Sequence, residues 1–152
     1  MELIWILTVI GNFSLAMILL WRGWYIRYSW LFMACLYSVM CDAIEWYSRT
    51  YDSPHYPELW RVILFIALGF NFAIIWESFC NKNMRVCIPV EWQLGIELIA
   101  FLAEKAQFLW IAYYIQCFLR VSNLAMIVWF IWIFRGEPFY EPQAQRPEET
   151  MP

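Results

Sequence analysis

Apolar residues fall in five long stretches along the chain, and short polar segments separate the stretches. A helix of about 20 residues crosses the roughly 30 Å hydrocarbon core of a bilayer at about 1.5 Å per residue. Most of the stretches have this length, so the pattern predicts an all-α, polytopic bundle of transmembrane helices. The predicted spans are Leu3 to Trp21, Tyr28 to Tyr47, Leu59 to Cys80, Ile88 to Ala103 and Phe108 to Phe134.

The boundary between the last two spans is the least obvious one, because Ile88 to Phe134 is apolar almost throughout. As a single helix this region would be about 65 to 70 Å long, about twice the thickness of the hydrocarbon core. Its only compact polar cluster is Glu104, Lys105, Ala106 and Gln107. We therefore predict a turn at this cluster and five spans, with four spans as the alternative.

Basic residues indicate the orientation, because short cytoplasmic loops collect Lys and Arg. Five spans with the N-terminus outside leave three basic residues outside, Arg49, Arg61 and Lys105. A four-span chain that also starts outside would move Arg135 and Arg146 to the outside, so that most basic residues would lie there. The predicted orientation is therefore N-terminus outside and C-terminus inside. It places six basic residues inside, namely Arg22, Arg27, Lys82, Arg85, Arg135 and Arg146.

Polar residues recur along one helical face in several of the spans. In the second span Ser38, Asp42 and Glu45 follow steps of four and three, which puts them on one side of a helix. A charge exposed at the bilayer centre costs about 2.5 to 3.5 kcal/mol on insertion scales, so we expect these faces to point inward. The other polar residues of this predicted seam are Asn12, Arg49, Asn71, Ser78, Gln93, Glu97, Glu104, Gln107, Tyr113, Gln116, Arg120 and Asn123.

The depth of these residues suggests a specific contact. Glu97 and Arg120 lie about midway through the fourth and fifth spans, and we predict a buried ion pair between them, supported by Asn71 and Asn123. Such a pair either fixes the register of the helices or marks a proton or substrate path. Asp42 and Glu45 are expected near the outer end of span two, where they form either a vestibule or a solvated rim network.

Composition excludes several function classes. The chain is 63% hydrophobic and only 15% charged, which is typical of a membrane protein. A net charge of -3 without a basic cluster argues against nucleic-acid binding. The single histidine, His55, leaves no pair for haem or a His-rich zinc site, and no Gly-rich phosphate loop or C-x-x-C pair occurs. We therefore expect no catalytic residue, no metal and no cofactor, and a protein that is not an enzyme.

Residues 135–152 differ from the bundle that we predict for residues 1–134. This segment holds four prolines and four glutamates and few apolar residues, so it has no core to fold around. We predict a disordered cytoplasmic tail, which is either solvated without a partner or recruits one through Phe139 and Tyr140.

Two segments carry a resemblance to other proteins. The sequences GFNFAIIWESF, from Gly69 to Phe79, and RVSNLAMIVWFIWIFRGEP, from Arg120 to Pro138, resemble parts of uncharacterised polytopic membrane proteins common in acidobacterial genomes. Those proteins are generally longer and have an additional span. The resemblance implies a multi-pass protein of a bacterial inner membrane and no particular activity.

Two functions are consistent with the sequence. The first is a non-catalytic membrane component that self-associates as a homo-oligomer or binds a membrane protein partner, besides the lipid bilayer itself. The alternative is a small-solute or proton transporter or channel that uses the polar seam.

Overall fold

A computed structural model describes residues 2–51, 56–106 and 109–140 of the chain. These residues form five long helices and no strand, so the all-α prediction is confirmed for this part of the chain. A short 3-10 turn, Trp24–Ile26, lies between the first two helices. The helices are α1 (Glu2–Trp21), α2 (Ser29–Thr50), α3 (Tyr56–Cys80), α4 (Met84–Lys105) and α5 (Leu109–Gly136).

The long apolar region at the end of the chain is divided where its polar cluster predicted a turn. Helix α4 ends at Lys105 and α5 begins at Leu109. Helix α4 also begins four residues before the predicted start at Ile88 and contains Pro89. Proline lacks the N–H that would bond to the carbonyl of Arg85. The indole N–H of Trp129 donates to that carbonyl instead, at 3.0 Å.

Four of the described helices are long and apolar enough to cross a membrane, and α2 is not among them. The four segments are compatible with an integral membrane protein. Helix α2 falls short because its buried side includes polar groups such as Glu45 and Ser48. The predicted number of spans and their orientation therefore remain predictions. The span-length segments are Leu3–Trp21, Glu58–Cys80, Met84–Ala103 and Tyr114–Gly136.

The five helices form a closed ring in chain order. Each helix packs against the helix before it and the helix after it, and α5 closes the ring against α1. Within the described ranges, helices that are not neighbours in the ring do not bring their backbones together. Helix α2 therefore lies between α1 and α3, and the centre of the ring is filled only by side chains.

The outside and the inside of the ring differ in polarity. Large apolar side chains are exposed on the outer surface of every helix, as Phe13, Met40, Phe72, Trp92 and Phe118 illustrate. Buried Asn, Gln, Ser, Thr and Glu side chains lie inside. This inverted distribution is what a bundle surrounded by lipid requires, since polar groups must be satisfied internally there.

We call the end of the ring where α1, α3 and α5 end, and where α2 and α4 begin, the tail end. Apolar side chains close the ring there, all of them within about 9 Å of this end by helix rise. Ser78, which is fully buried at the same level, donates its hydroxyl to the carbonyl of Ile74 within α3. This apolar plug consists of Leu15, Leu19, Leu31, Ile74, Val86, Val90, Phe130 and Phe134.

Helix α2 begins on a side chain of α3. The carboxylate of Glu77 accepts hydrogen bonds from the hydroxyl of Ser29 at 3.1 Å and from the backbone N–H of Trp30 at 3.2 Å and of Leu31 at 3.4 Å. The first N–H groups of a helix have no partner within the helix, and a negative charge there is favourable. Glu77 therefore acts as an N-terminal cap supplied by another helix.

The segment after α5 packs on the α1–α2 connector. Arg22 donates to the carbonyl of Glu137, Trp24 donates to the carbonyl of Pro138 at 2.9 Å, and the N–H of Tyr140 donates to the carbonyl of Arg22 at 2.9 Å. The first residues of the predicted tail thus lie against the bundle. Residues 141–152, where the rest of the predicted tail falls, lie outside the described residues.

Candidate functional site

The centre of the ring contains a cavity of about 170 Å³, lined by side chains from all five helices. An engineered cavity of about 150 Å³ holds a benzene molecule, so this one is large enough for a small solute. The apolar plug forms its floor. Nine residues of the predicted polar seam lie on its wall, namely Asn12, Ser38, Asp42, Glu45, Asn71, Gln93, Glu97, Arg120 and Asn123. Arg49, Ser78 and Gln116, which were predicted to share these faces, are not part of this wall.

Arg120 forms an ion pair with Glu45 across the ring. The predicted partner was Glu97, and helix lengths explain the difference. Glu45 and Arg120 both lie about 24 Å from the tail end, whereas Glu97 lies about 20 Å from it. The depth count from the sequence also placed Asp42 and Glu45 near the outer end of α2. It did not consider that α2 and α5 pack on either side of α1, so that their inward side chains can meet.

Glu97 is held by amides. The Nδ2 of Asn71 donates to its Oε2 at 2.6 Å, and the Nε2 of Gln93 lies 3.4 Å from its Oε1. The hydroxyl of Ser122 in turn donates to the Oε1 of Gln93 at 3.0 Å. This network joins α3, α4 and α5, and its carboxyl group is buried. Asn71 thus supports Glu97, as predicted, although Arg120 is not part of the contact.

Asp42 has a different environment from the other two acidic groups. Its carboxylate is hydrogen-bonded to the side chain of Trp5, and its Oδ2 atom is buried without a hydrogen-bond partner among the described residues. A buried oxygen without a donor costs about 1 to 3 kcal/mol, and more when it is charged. Nearby on the same wall, the Nδ2 of Asn12 donates to the hydroxyl of Ser38 at 2.9 Å.

A second pocket of about 360 Å³ lies farther from the tail end and shares Trp5, Glu45 and Arg120 with the central cavity. It also includes Arg49, whose guanidinium lies 2.8 Å from Glu45 and is 55% exposed. The Glu45–Arg120 pair therefore stands at the boundary between the cavity and an outer pocket. The described interior therefore has the apolar plug at one end and a charged pair at the other.

Sequence reasoning missed part of this site. Trp5, Tyr37 and Trp60 line the cavity, yet aromatic residues are so frequent in this chain that none of them stands out. Ser122 lies one residue from the predicted polar face of α5. A search for hydrogen-bonding side chains flanking that face would have found it. Cys35 and Cys41 also line the cavity as free thiols.

The chemistry of the site is therefore acidic and aromatic. In the described part of the chain, no three His, Cys, Asp or Glu side chains come together as metal ligands. His55, the single histidine of the chain, lies outside the described residues. No protein-family model, no curated protein and no solved structure matches the chain.

Proposed function

We propose that the protein is a membrane transporter that binds a small polar solute in the central cavity. The observation that supports the proposal most is the cavity itself: about 170 Å³ of space inside a ring of five helices, lined by polar groups. A seam that served only to fix helix packing would be closed by direct contacts between its polar side chains. Here Glu97 and Glu45 are paired, but the cavity remains and the Oδ2 of Asp42 has no donor.

The unequal ends of the interior support a transporter over an open pore. The apolar plug separates the cavity from the tail end, whereas among the described residues the cavity meets the outer pocket at Trp5, Glu45 and Arg120. We propose that the outer pocket faces outside, with the N-terminus outside and the tail end in the cytoplasm. The structure then corresponds to a state closed on the cytoplasmic side.

The proposal is tested by solute permeation into vesicles. Purified protein is reconstituted into liposomes, and swelling is followed by stopped-flow light scattering with a panel of solutes of at most about ten non-hydrogen atoms. The panel includes neutral, anionic and cationic members, and a pH-sensitive dye reports proton flux in parallel. We expect faster entry of at least one solute class than into protein-free liposomes.

Two variants make this test specific. Glu45→Gln removes the charge that pairs with Arg120 and should change the rate of entry. Glu58→Gln removes a carboxylate at the exposed start of α3, outside the cavity wall, and should leave the rate unchanged. If no solute and no proton enters faster with the wild-type protein, or if both variants behave alike, the transport proposal fails.

A second function, self-association as a non-catalytic membrane component, is favoured by one feature of α4. Glu91 is exposed on the outer surface about 10 Å from the start of this helix, inside a span-length segment, where its described hydrogen-bond donor is the thiol of Cys87 at 3.3 Å. Gly95, one turn further, has open space around it. Contact between two copies along this face would remove Glu91 from lipid.

Disulfide cross-linking tests the second function. In a chain without its natural cysteines, Gly95→Cys should give a covalent dimer in membranes after mild oxidation. Gly69→Cys is the matched control, because this glycine of α3 also has open space around it. Equal cross-linking at both positions would indicate random collision, and none at Gly95 would exclude this face.

A further inference from the structure

The charges inside the cavity are unbalanced toward the negative. Among the described residues, three carboxyl groups, of Asp42, Glu45 and Glu97, line its wall, whereas Arg120 is the only Lys or Arg that does so. Arg120 is already paired with Glu45. The cavity therefore offers no unpaired cation to an anionic solute, and it offers carboxylate oxygens to a cationic one.

The three carboxyl groups are not equally available. Glu45 is engaged by Arg120 and Arg49, and Glu97 is engaged by Asn71 and Gln93. Asp42 is the acidic group whose Oδ2 is buried without a donor in the described ranges. Trp5 and Arg120 act on this carboxyl but leave its Oδ2 without a donor, and a positive charge in the cavity that it lines would add to their stabilisation.

Aromatic rings share the cavity wall with Asp42. Trp5, Tyr37, Trp60 and Phe70 all line it, and Tyr37 is fixed in place by donating to the carbonyl of Ile63 at 3.0 Å and by stacking on Phe70. The face of an aromatic ring carries negative potential and attracts organic cations, Trp most strongly. Carboxylate and aromatic rings together are the usual means of binding an ammonium group.

The size of the cavity and the number of its oxygen ligands narrow the class of cation that it can bind. A cavity of about 170 Å³ suits a molecule of about six to ten non-hydrogen atoms. Hard inorganic cations such as Ca²⁺ require six to eight oxygen ligands, and no cluster of acidic ligands occurs among the described residues. We infer that the cavity binds a small organic monocation, a primary or quaternary ammonium compound, with the Asp42 carboxylate as its counter-charge. This ligand class rests on the proposed function and specifies its substrate.

Calorimetric titration of the full-length protein in lipid nanodiscs tests the inference. The probes are choline and its uncharged carbon analogue 3,3-dimethylbutan-1-ol, which have the same shape and size. We expect saturable binding of choline and no measurable binding of the alcohol. Equal binding of the two would show an apolar pocket without charge recognition and would overturn the inference.

Two variants assign the binding to this site. Asp42→Asn keeps the shape of the side chain while removing its charge, and it should weaken choline binding about tenfold or more. Trp60→Leu keeps an apolar side chain but removes the ring, and it should also weaken binding. Glu58→Gln and Trp110→Phe, at exposed positions outside the wall, are the controls and should bind choline as the wild type does.

The permeation assay separates this inference from the proposed function. If a neutral or anionic solute enters vesicles and choline neither enters nor binds, transport stands and the cationic class is wrong. If choline binds with the expected dependence on Asp42 and nothing permeates, the site is a binding site and transport is wrong. Choline binding that survives both Asp42→Asn and Trp60→Leu would place the ligand elsewhere and overturn the inference.

Discussion

At the scale of single residues, the site depends on which polar group meets which partner across the ring. Glu45 is contacted by Arg49 within α2 and by Arg120 from α5, so its charge is balanced from both sides. Glu97 is satisfied by neutral amides, and the Oδ2 of Asp42 by no described residue. Three carboxyl groups in one cavity thus have three different environments, which is the condition for giving them different roles.

Pro89 and Trp129 form a pair whose energetic coupling can be measured. Trp129→Phe removes the donor to the carbonyl of Arg85, and we expect a loss of about 0.5 to 1.5 kcal/mol in the free energy of unfolding. In a Pro89→Ala background the new N–H of residue 89 can bond to that carbonyl, so the same change should cost less. Dodecyl sulfate titration in mixed micelles measures both values; equal costs in the two backgrounds would contradict the pairing.

At the scale of elements, each helix is positioned by contacts that cross from one helix to the next. Glu77 of α3 starts α2, Trp129 of α5 satisfies α4, and Gly11 lets α1 approach α5. Because α2 is the least apolar of the five by span criteria, it depends on these neighbours more than the others do.

The cap on α2 gives a second prediction. Glu77→Ala leaves the N–H groups of Trp30 and Leu31 without their acceptor, and we expect a loss of about 0.5 to 2 kcal/mol in stability. Glu77→Gln keeps an acceptor without the charge and should lose less. Amide hydrogen exchange checks the location: Trp30 and Leu31 should exchange faster in the Ala variant, while amides in the middle of α2 stay protected. Uniformly faster exchange would point to global unfolding instead.

The contact between α1 and α5 gives a third prediction. A Cβ on Gly11 would lie 2.9 Å from the Cγ2 of Ile127, which is closer than real Cβ atoms approach. Gly11→Ala should therefore destabilise the protein by about 1 to 3 kcal/mol, and less in an Ile127→Ala background, where the clashing carbon is absent. Gly95→Ala is the control, since nothing lies within 4 Å of it and its helix should gain from alanine. Dodecyl sulfate titration measures all four proteins, and similar effects at Gly11 and Gly95 would refute the close approach.

The sequence predicted the elements better than their arrangement. The turn at Glu104 to Gln107 follows from length, because a single helix over that region could not fit a bilayer, and α4 and α5 are divided there. The inward faces follow from spacing and the cost of charges in lipid. The contacts between helices cannot be predicted in this way. Periodicity indicates which face of a helix points inward, but it does not indicate which helix lies opposite that face. This is why Arg120 was predicted to meet Glu97 and instead meets Glu45.

At the scale of the whole molecule, the interior changes from apolar to polar along the ring axis. The tail end is filled by the plug, the middle holds the cavity, and the outer pocket follows beyond the Glu45–Arg120 pair. A solute that enters from the outer pocket would reach Asp42 and Glu97 before it met the plug at the tail end. Passage through the molecule requires the apolar side chains of the plug to separate.

Thiol labelling tests this asymmetry. In a chain without its natural cysteines, Ser38→Cys on the cavity wall should react with a water-soluble, membrane-impermeant thiol reagent added outside intact cells. Leu19→Cys, deeper in the plug and outside the cavity wall, should stay unreactive in native membranes and react only after denaturation. Labelling of both at similar rates would show that the plug is open to water, and labelling of neither would show that the cavity is sealed.

Reporter fusions show on which side of the membrane each connector lies. Fusions after Gly23, Lys82 and Gly136 should all report the same side, because the connectors at the tail end and the end of α5 contact one another, and the proposed orientation makes that side the cytoplasm. Fusions after Ser53 and Lys105 should report the outside. If Lys105 and Gly136 report the same side, α5 does not cross the membrane and the proposed orientation is wrong.

The Glu45–Arg120 pair also has a consequence for how the protein is made. Its members are 75 residues apart in the chain, and at about 5 to 20 residues per second the ribosome needs roughly 4 to 15 s to reach Arg120 after Glu45. During that interval the least apolar helix must be accommodated by the insertion machinery with its cationic partner from α5 not yet synthesised. If α2 crosses the membrane as proposed, it does so before its cationic partner exists, and we expect a nascent chain that stalls before α5 to be a substrate for membrane proteolysis.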